Sequence, residues 1–389
     1  MTFKQMKLID KYLGWMLCTF LTNIDGAYKI VLKNKNIKSS PNNNILIIKF
    51  WGMGSILLAT PFLKAIRENY KDTNICFLTL TRNKELVESF NLVDEVITLD
   101  VDGGWLRSFQ GIVSLLHLLI REKFDIVFDL EFFTRFSAMV SYITGASVRV
   151  GFHAWEAWRG DLHTVRVPFN RYWHMVDNFC SLASAVNIKQ VDYTLVRPRI
   201  ADEDKSFVSE ILKSHNFGIN DSYICVHVNA SDLALERRWP YENFIELITN
   251  ILKRHSIKII FIGTKSEYNS IESILKFVKN SNIVNLAGQL NIRRLAYLFE
   301  NAKLLIANDS GPLHLASAIG TRTISFFGPE TPVLYGPRGE GHIVFFKNIN
   351  CSPCINVHEG KTVKCYRDRL RCMELITVQE VIDVVNKIL

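Results

Sequence analysis

Apolar residues fall along this chain in short unbroken runs, separated by longer stretches with a helical period. The run Ile45–Phe50 (ILIIKF) predicts a buried strand, because strands covered on both faces lose the apolar–polar alternation of half-exposed ones. A glycine turn, Trp51–Ser55, leads into a helix-periodic segment ending near Tyr70. Strands are expected next at Ile75–Leu80, Glu95–Leu99 and Ile126–Leu130, with helices near Ile112–Glu122 and Arg135–Thr144. A more polar stretch from Val191 to Ser222, with Pro198 and the charged run Asp202–Lys205, predicts a domain boundary. A second alternation then begins, with strands at Ile224–Val228, Lys258–Ile262, Asn282–Val284, Leu304–Ala307 and Arg322–Phe326. Helices at Tyr241–Arg254, Glu267–Lys279, Ile292–Glu300 and Pro312–Ile319 lie between them, and Thr377–Leu389 reads as an amphipathic terminal helix.

Strands alternating with helices argue for parallel βαβ units with ligands at the carboxyl ends of the strands. The expected fold is therefore α/β: two facing Rossmann-like domains with parallel sheets and a cleft between them. The expected spans are 45–198 and 199–389, behind an extension over 1–44. Neither half carries a complete GxGxxG dinucleotide signature.

The length of 389 residues, with 48% hydrophobic and 22% charged, suits two folded domains and excludes a disordered chain. The net charge of +8 points to an anionic partner. Much of it sits in the first 44 residues, where Lys4, Lys7, Lys11, Lys29, Lys33, Lys35 and Lys38 face only Asp10 and Asp25. No nucleic-acid motif accompanies these lysines, so a membrane surface is the expected partner and nucleic acid is not. The apolar run Tyr12–Leu21 is about half the length of a bilayer span and has no cleavage site after it. It reads either as a helix packed on the protein's own surface or as an interfacial anchor. Both readings keep the chain cytoplasmic, the second as a peripheral protein of the inner membrane.

Candidate chemistry gathers at Asn308-Asp309-Ser310-Gly311-Pro312-Leu313-His314, where a strand ends and a helix begins. Ser310 or Gly311 would cap that helix, and Pro312 suits its first turn because the missing N–H is not needed there. Free backbone N–H groups and the positive end of the helix dipole then face an anion, a diphosphate being the best fit. A second turn, Gly328-Pro329-Glu330-Thr331-Pro332, follows the next strand at the same sheet edge. Of eight cysteines, Cys18, Cys76, Cys180 and Cys225 are scattered through apolar runs and read as core residues. Cys351, Cys354, Cys365 and Cys372 fall within 22 residues. The first pair has CxxC spacing suited to a tetrahedral zinc, whereas the second pair is wider. Structural metal, reduced thiols and disulfides all remain open on this spacing.

The order NDSGPLHLASAIGT, ISFFGPETP and YGPRG resembles the C-terminal signature of glycosyltransferase family 9, the ADP-heptose–lipopolysaccharide heptosyltransferases. Arg237-Arg238-Trp239-Pro240 resembles its basic-basic-Trp-Pro element, and Ile45–Pro61 its N-terminal strand, glycine turn and helix. The resemblance implies a GT-B fold and an inverting sugar transfer from a nucleotide-diphosphate donor, by default ADP-heptose, with no obligatory metal. The acceptor would be lipopolysaccharide or another cell-envelope glycan. Asp309, Ser310, Gly311, Leu313 and His314 would hold the donor's diphosphate and sugar. Arg237, where the family usually has lysine, would pair with phosphate, and Glu267 would accept hydrogen bonds from the ribose. Glu267 also reads as an ordinary acid at a helix N-terminus. The cysteines would be structural and not catalytic.

One departure concerns catalysis. The family commonly places an aspartate, taken as the general base, directly after the glycine of the first turn, and here that residue is Ser55. A serine has no suitable pKa for that role without a partner. Asp129 and Glu131, at the end of a predicted strand, are the candidates to replace it, with Glu131 preferred; His153, His174 and Asp177 are weaker ones. The competing readings are a sugar-nucleotide-binding protein without catalysis and a GT-B-fold sugar-nucleotide epimerase.

Overall fold

The structure, a computed structural model, describes residues 3–31, 44–154, 157–218, 221–230, 234–355, 365–367 and 369–389, with side chains left undescribed at 3, 4 and 27–31. Lys33, Lys35, Lys38 and the polar break at 39–43 lie outside the described residues, as do the side chains of Lys4 and Lys29. The chain divides into two compact units between Tyr193 and Thr194.

The first unit opens with helix α1 (Phe3–Ile9), a π-helical turn (Asp10–Gly14) and α2 (Trp15–Val31). Its six strands are β1 (Asn44–Ile48), β2 (Asn74–Leu80), β3 (Glu95–Leu99), β4 (Ile126–Asp129), β5 (Val148–His153) and β6 (Val165–Pro168). They form one parallel sheet in the order β3-β2-β1-β4-β5-β6. The helices are α3 (Met53–Leu58), α4 (Thr60–Asn69), α5 (Lys84–Phe90), α6 (Trp105–Glu122), α7 (Arg135–Ile143) and α8 (Met175–Ser184). Strand β1 is central, with Ile45 opposite both Ile75 and Ile126, and it is buried from Ile45 onward. That position is why its sequence is apolar without alternation. The helix expected to run to Tyr70 is two helices. The chain breaks at Ala59, where the Thr60 hydroxyl donates to Leu57 O at 2.7 Å and Pro61 occupies the first turn of α4. Helix α6 starts at Trp105, seven residues before its expected start, directly after Gly104 at φ 88°.

The second unit contains α9 (Asp202–Ser214), β7 (Tyr223–His227), α10 (Tyr241–Arg254), β8 (Lys258–Phe261), α11 (Tyr268–Leu275), β9 (Ile283–Asn285) and α12 (Ile292–Glu300). It continues with β10 (Leu304–Asn308), α13 (Gly311–Ile319), β11 (Thr323–Phe327), α14 (Pro332–Tyr335), β12 (His342–Phe346), α15 (Arg371–Glu374) and α16 (Val378–Ile388). Its sheet order, β12-β11-β10-β7-β8-β9, is the topology of the first sheet read from the other edge. Two Rossmann-like units of this kind are the two halves of a GT-B fold. The charged run Asp202–Lys205, read as part of the polar stretch marking a domain boundary, is the first turn of α9, where its acids meet the positive end of the helix. Trp239 anchors the core, stacked on Phe326 at 4.4 Å with its indole N–H donating to Ile376 O at 2.9 Å. Helix α16, started by a Thr377–Glu380 capping box, places Val381 and Val385 in the same core as Leu247 and Ile251 of α10.

In each unit the strand order reverses between the first and fourth strands, β1 and β4 or β7 and β10. Such a reversal leaves a crevice beyond the carboxyl ends of those strands. The polar residues of interest lie there.

Candidate functional site

In the second unit, β10 ends at Asn308, a fully buried side chain that ties two loops together. Its amide nitrogen donates to Val228 O at 2.8 Å, and its oxygen accepts from Trp239 N at 2.9 Å. The segment after β7 is thus pinned to the tip of β10. Arg237 comes with it and donates to Asp309 Oδ2 at 3.0 Å, both side chains being largely buried. A charge-assisted bond of that length out of water is strong, and each partner fixes the other's direction.

Ser310 is the N-cap of α13 in an extended conformation, but its hydroxyl does not bond back to the helix. It donates instead to Asn308 O at 3.0 Å and lies 3.1 Å from His227 Nδ1. The Ser310 hydroxyl therefore does not take up the first N–H groups of α13, which begins at Gly311 with Pro312 in its first turn. Leu313 and His314 are buried within the same turn.

His227, not singled out from the sequence, joins this turn to Glu267: its Nε2 is 3.9 Å from Glu267 Oε2. A polar side chain ending an otherwise apolar strand (YICVH) was the available signal. Glu267 Oε2 also accepts from Thr264 N at 2.6 Å and Thr264 Oγ1 at 2.9 Å, closing a capping box. Both readings of Glu267 thus have a counterpart in the geometry. Oε2 caps a helix, while Oε1 makes no hydrogen bond to a described residue. Burial opposes the charge on Glu267, but His227 and the Thr264 donors outweigh it and hold the carboxyl below its usual range. Nearby, Tyr241 OH donates to Asn229 Oδ1 at 2.8 Å and accepts from Arg238 at 3.0 Å. Asn229 Nδ2 and Arg238 Nε are buried donors with no partner among the described residues.

In the first unit, Glu131 and Asp129 sit at the end of β4, both fully buried. Glu131 Oε1 accepts from Lys49 Nζ at 3.0 Å, Phe50 N at 2.8 Å and Trp51 N at 3.0 Å. It clamps the turn that leads to Ser55, and its Oε2 has no partner among the described residues. Asp129 has both oxygens engaged. Oδ1 accepts from Glu131 N at 3.0 Å, and Oδ2 meets Arg159, Ser137 Oγ and His163 Nε2. Burial would raise its pKa, but Arg159 and His163 outweigh it and hold the carboxyl below the usual range. Burial also pushes the His163 imidazole down, beyond what Asp129 restores.

Ser55 lies half-buried in α3, and its hydroxyl makes no hydrogen bond to a described residue. His153 ends β5, and His174 caps α8 through Nδ1, which accepts from Val176 N at 3.2 Å; Asp177 follows in the first turn of α8. The hydrogen-bond partners of Asp129 and Glu131 described above include none of these three.

The four clustered cysteines line one cavity of about 210 Å³ behind the Gly328-Pro329 turn. Burial and the neighbouring thiols push Cys372 up to about 11 and raise Cys354 as well. The cysteine loop braces the turn. Cys354 N and Ile355 N both donate to Pro329 O at 2.9 Å, and Ser352 Oγ donates to Gly328 O. A Cβ on Gly328 would fall 2.4 Å from Met373 Sδ and 3.0 Å from Cys372 Sγ, so any side chain there would have to push Met373 aside. Among the described residues, no three His, Cys, Asp or Glu side chains lie close enough to share one metal ion.

Comparison with known proteins bears on the family and the fold. The family model "Glycosyltransferase family 9 (heptosyltransferase)" matches residues 112–366. A lipooligosaccharide heptosyltransferase 2 of Campylobacter jejuni is 28% identical over 346 residues, covering 87% of this chain and 95% of that protein. The lipopolysaccharide core heptosyltransferase OpsX of Haemophilus influenzae is 24% identical over 303 residues, 76% of this chain and 81% of that one. Among solved structures, the E. coli ADP-heptose lps heptosyltransferase II superposes with a TM-score of 0.70 at 19% identity, over 89% of this chain and 98% of that one.

Proposed function

The chain belongs to glycosyltransferase family 9, the heptosyltransferases, and from that premise we propose that it moves a heptose or related sugar from ADP-heptose onto a lipopolysaccharide-type acceptor. The observation that carries the donor half is the linked group Arg237–Asp309, Ser310–His227 and Glu267 around the uncapped start of α13. A diphosphate there would accept from the α13 N–H groups and from Arg237, whose fork suits two phosphate oxygens. Ribose hydroxyls would donate to Glu267 Oε1. The unpartnered donors of Asn229 and Arg238 support the same reading, because a buried donor without an acceptor is costly unless a ligand supplies one.

For catalysis, an inverting transfer needs one carboxylate to take the acceptor's hydroxyl proton as the anomeric carbon is attacked. Of Ser55, Asp129 and Glu131, we assign this role to Glu131. Asp129 is saturated and held ionised by Arg159, a poor setting for gaining a proton, and Ser55 has nothing to activate it. Glu131 keeps Oε2 unpartnered among the described residues; because the side chain is fully buried, an acceptor would have to displace part of the turn that it holds. The work would take place in the cytoplasm at the inner membrane face. Among the described residues, no helix is long and apolar enough to cross a membrane, so the attachment would be peripheral, through the basic N-terminus.

The finer reading of Cys351, Cys354, Cys365 and Cys372 is a structural zinc, supported by their convergence on one cavity. Ligation would require the thiols to close on the ion. Metal content of the purified chain tests it, and metal-free protein with unchanged Tm overturns it.

The transferase reading is tested by free ADP release from ADP-heptose with and without a heptose-deficient lipopolysaccharide acceptor. Release only with acceptor supports transfer, and donor binding without release on any acceptor refutes it. In the same assay, Gly311→Val should weaken donor binding about tenfold or more, because a branched side chain would fill the space the diphosphate needs. Unchanged affinity would move the diphosphate elsewhere.

A further inference from the structure

The N-terminal helices α1 and α2 are turned inside out. Their inward face is small or polar: Gly14 and Cys18 are buried, and the Asp10 carboxylate caps α7 by accepting from Arg135 N at 2.9 Å and Phe136 N at 2.8 Å. Asp25 acts on Arg149. Their outward face is apolar, with Leu8, Ile9, Tyr12, Leu13, Trp15, Met16, Leu17, Phe20 and Ile24 all exposed, Tyr12 and Phe20 at 61% each. A helix that packed for its own stability would bury these and expose the acids.

Helix α6 repeats the feature. Ser108, Leu115 and Leu119 face the core, while Trp105, Leu106, Phe109, Val113 and Ile120 form a second, exposed stripe beside the polar Gln110, Ser114, His117 and Arg121. Trp105 and Phe109 stack on each other at 6.2 Å in the open, Phe109 being 57% exposed. The crossovers β3→β4 and β4→β5 run the same way across the sheet, so right-handed connection puts α6 and α7 on one face. The N-terminal helices pack on α7, and Met6 reaches the core cluster that holds Leu115 and Leu119 of α6. Both exposed stripes therefore lie on the side of the sheet that carries α6 and α7.

We propose that α1–α2 and α6 together form one interfacial surface that lies in the headgroup region of an anionic bilayer. This extends the peripheral attachment read above from the N-terminus to a second element, and it rests on that reading. The choice of lipid over a protein partner comes from charge. The N-terminal segment carries seven lysines and two acids, and one of those acids, Asp10, is turned into the protein. Cations beside exposed aromatics suit anionic headgroups over an acyl boundary.

The test is co-sedimentation of the full chain with phosphatidylethanolamine–phosphatidylglycerol vesicles and with phosphatidylcholine vesicles. Two variants, Tyr12→Ser/Phe20→Ser and Phe109→Ser/Val113→Ser, are compared with the parent chain. All these side chains are exposed, so the fold and donor affinity should survive. Binding is expected to the anionic vesicles only, to weaken with salt, and to fall about tenfold or more in each variant. If the α6 variant binds like the parent while the N-terminal variant does not, the two-helix surface is overturned and N-terminal attachment stands. No binding by the parent chain overturns both. An oligomer in sedimentation equilibrium that Phe109→Ser/Val113→Ser dissolves, with no vesicle binding, makes the stripe an interface between copies and overturns the lipid assignment.

Discussion

Replacing Glu131 by glutamine tests both the clamp and the proposed base, and the structure separates the two effects. The amide oxygen would still accept from Phe50 N and Trp51 N, but Lys49, 1% exposed, would lose its counterion. At 3.0 Å the direct attraction is about 5.5 kcal/mol at an effective dielectric of about 20. Removing one partner of such a buried pair costs about 3–5 kcal/mol. In a unit of this size each 1 kcal/mol moves Tm by about 2–4 °C, so the first unit should melt about 6–20 °C lower by calorimetry. Adding Lys49→Met removes the orphaned charge, and the double variant should recover most of the loss. Turnover behaves differently: Glu131→Gln should lower kcat about 10²-fold or more with donor affinity unchanged, and Lys49→Met should not restore it. A kcat that returns with Tm in the double variant would refute the base and leave only the clamp. A single variant as stable as the parent would refute the buried ion pair with Lys49 as a source of stability.

Arg237→Ala strands the buried Asp309 and removes a phosphate partner, so the donor Kd should rise about thirtyfold or more, roughly 2 kcal/mol. Isothermal titration with ADP reads this directly, and an unchanged Kd would detach Arg237 from the donor site. Acid should weaken the first unit in two stages. Unfolded, His163 takes up a proton near 6.5 and Asp129 near 3.8, whereas both folded values are lower. Protons therefore bind the unfolded state preferentially. Stability should be complete above about pH 6.5, decline as pH drops below it, and decline again through the carboxylate range. His163→Gln should flatten the upper decline in a Tm–pH series, and an unaltered slope would exclude His163 as its source.

Much of this fold could be read from period and punctuation. Glu95–Leu99, Tyr241–Arg254 and Ile292–Glu300 have the expected ends because an apolar run or an amphipathic face stops where polar or turn residues begin. Strands β5, β6 and β12 were missed. Val165–Pro168 and His342–Phe346 are edge strands; the first (VRVP) is short and lacks the apolar density of β1, whereas the second (HIVFF) is as apolar as β1 but only partly buried. The donor turn was legible because its chemistry is local, a strand end followed by a capped helix. His227 was not, because its partners Ser310 and Glu267 come from distant strands. The pairing of Glu131 with Lys49 was hidden for the same reason: the two are 82 positions apart and meet only through the β1–β4 register.

The clamp on the first turn also bears on how this enzyme can vary. The backbone at Phe50 and Trp51 is held by a carboxylate from the end of β4, not by anything at position 55. Residue 55 can change without moving the loop that carries it, so loss of an acid there costs chemistry but little structure. The turn behaves as a socket with an interchangeable part, and Ser55→Asp would place there the acid that the family resemblance leads one to expect.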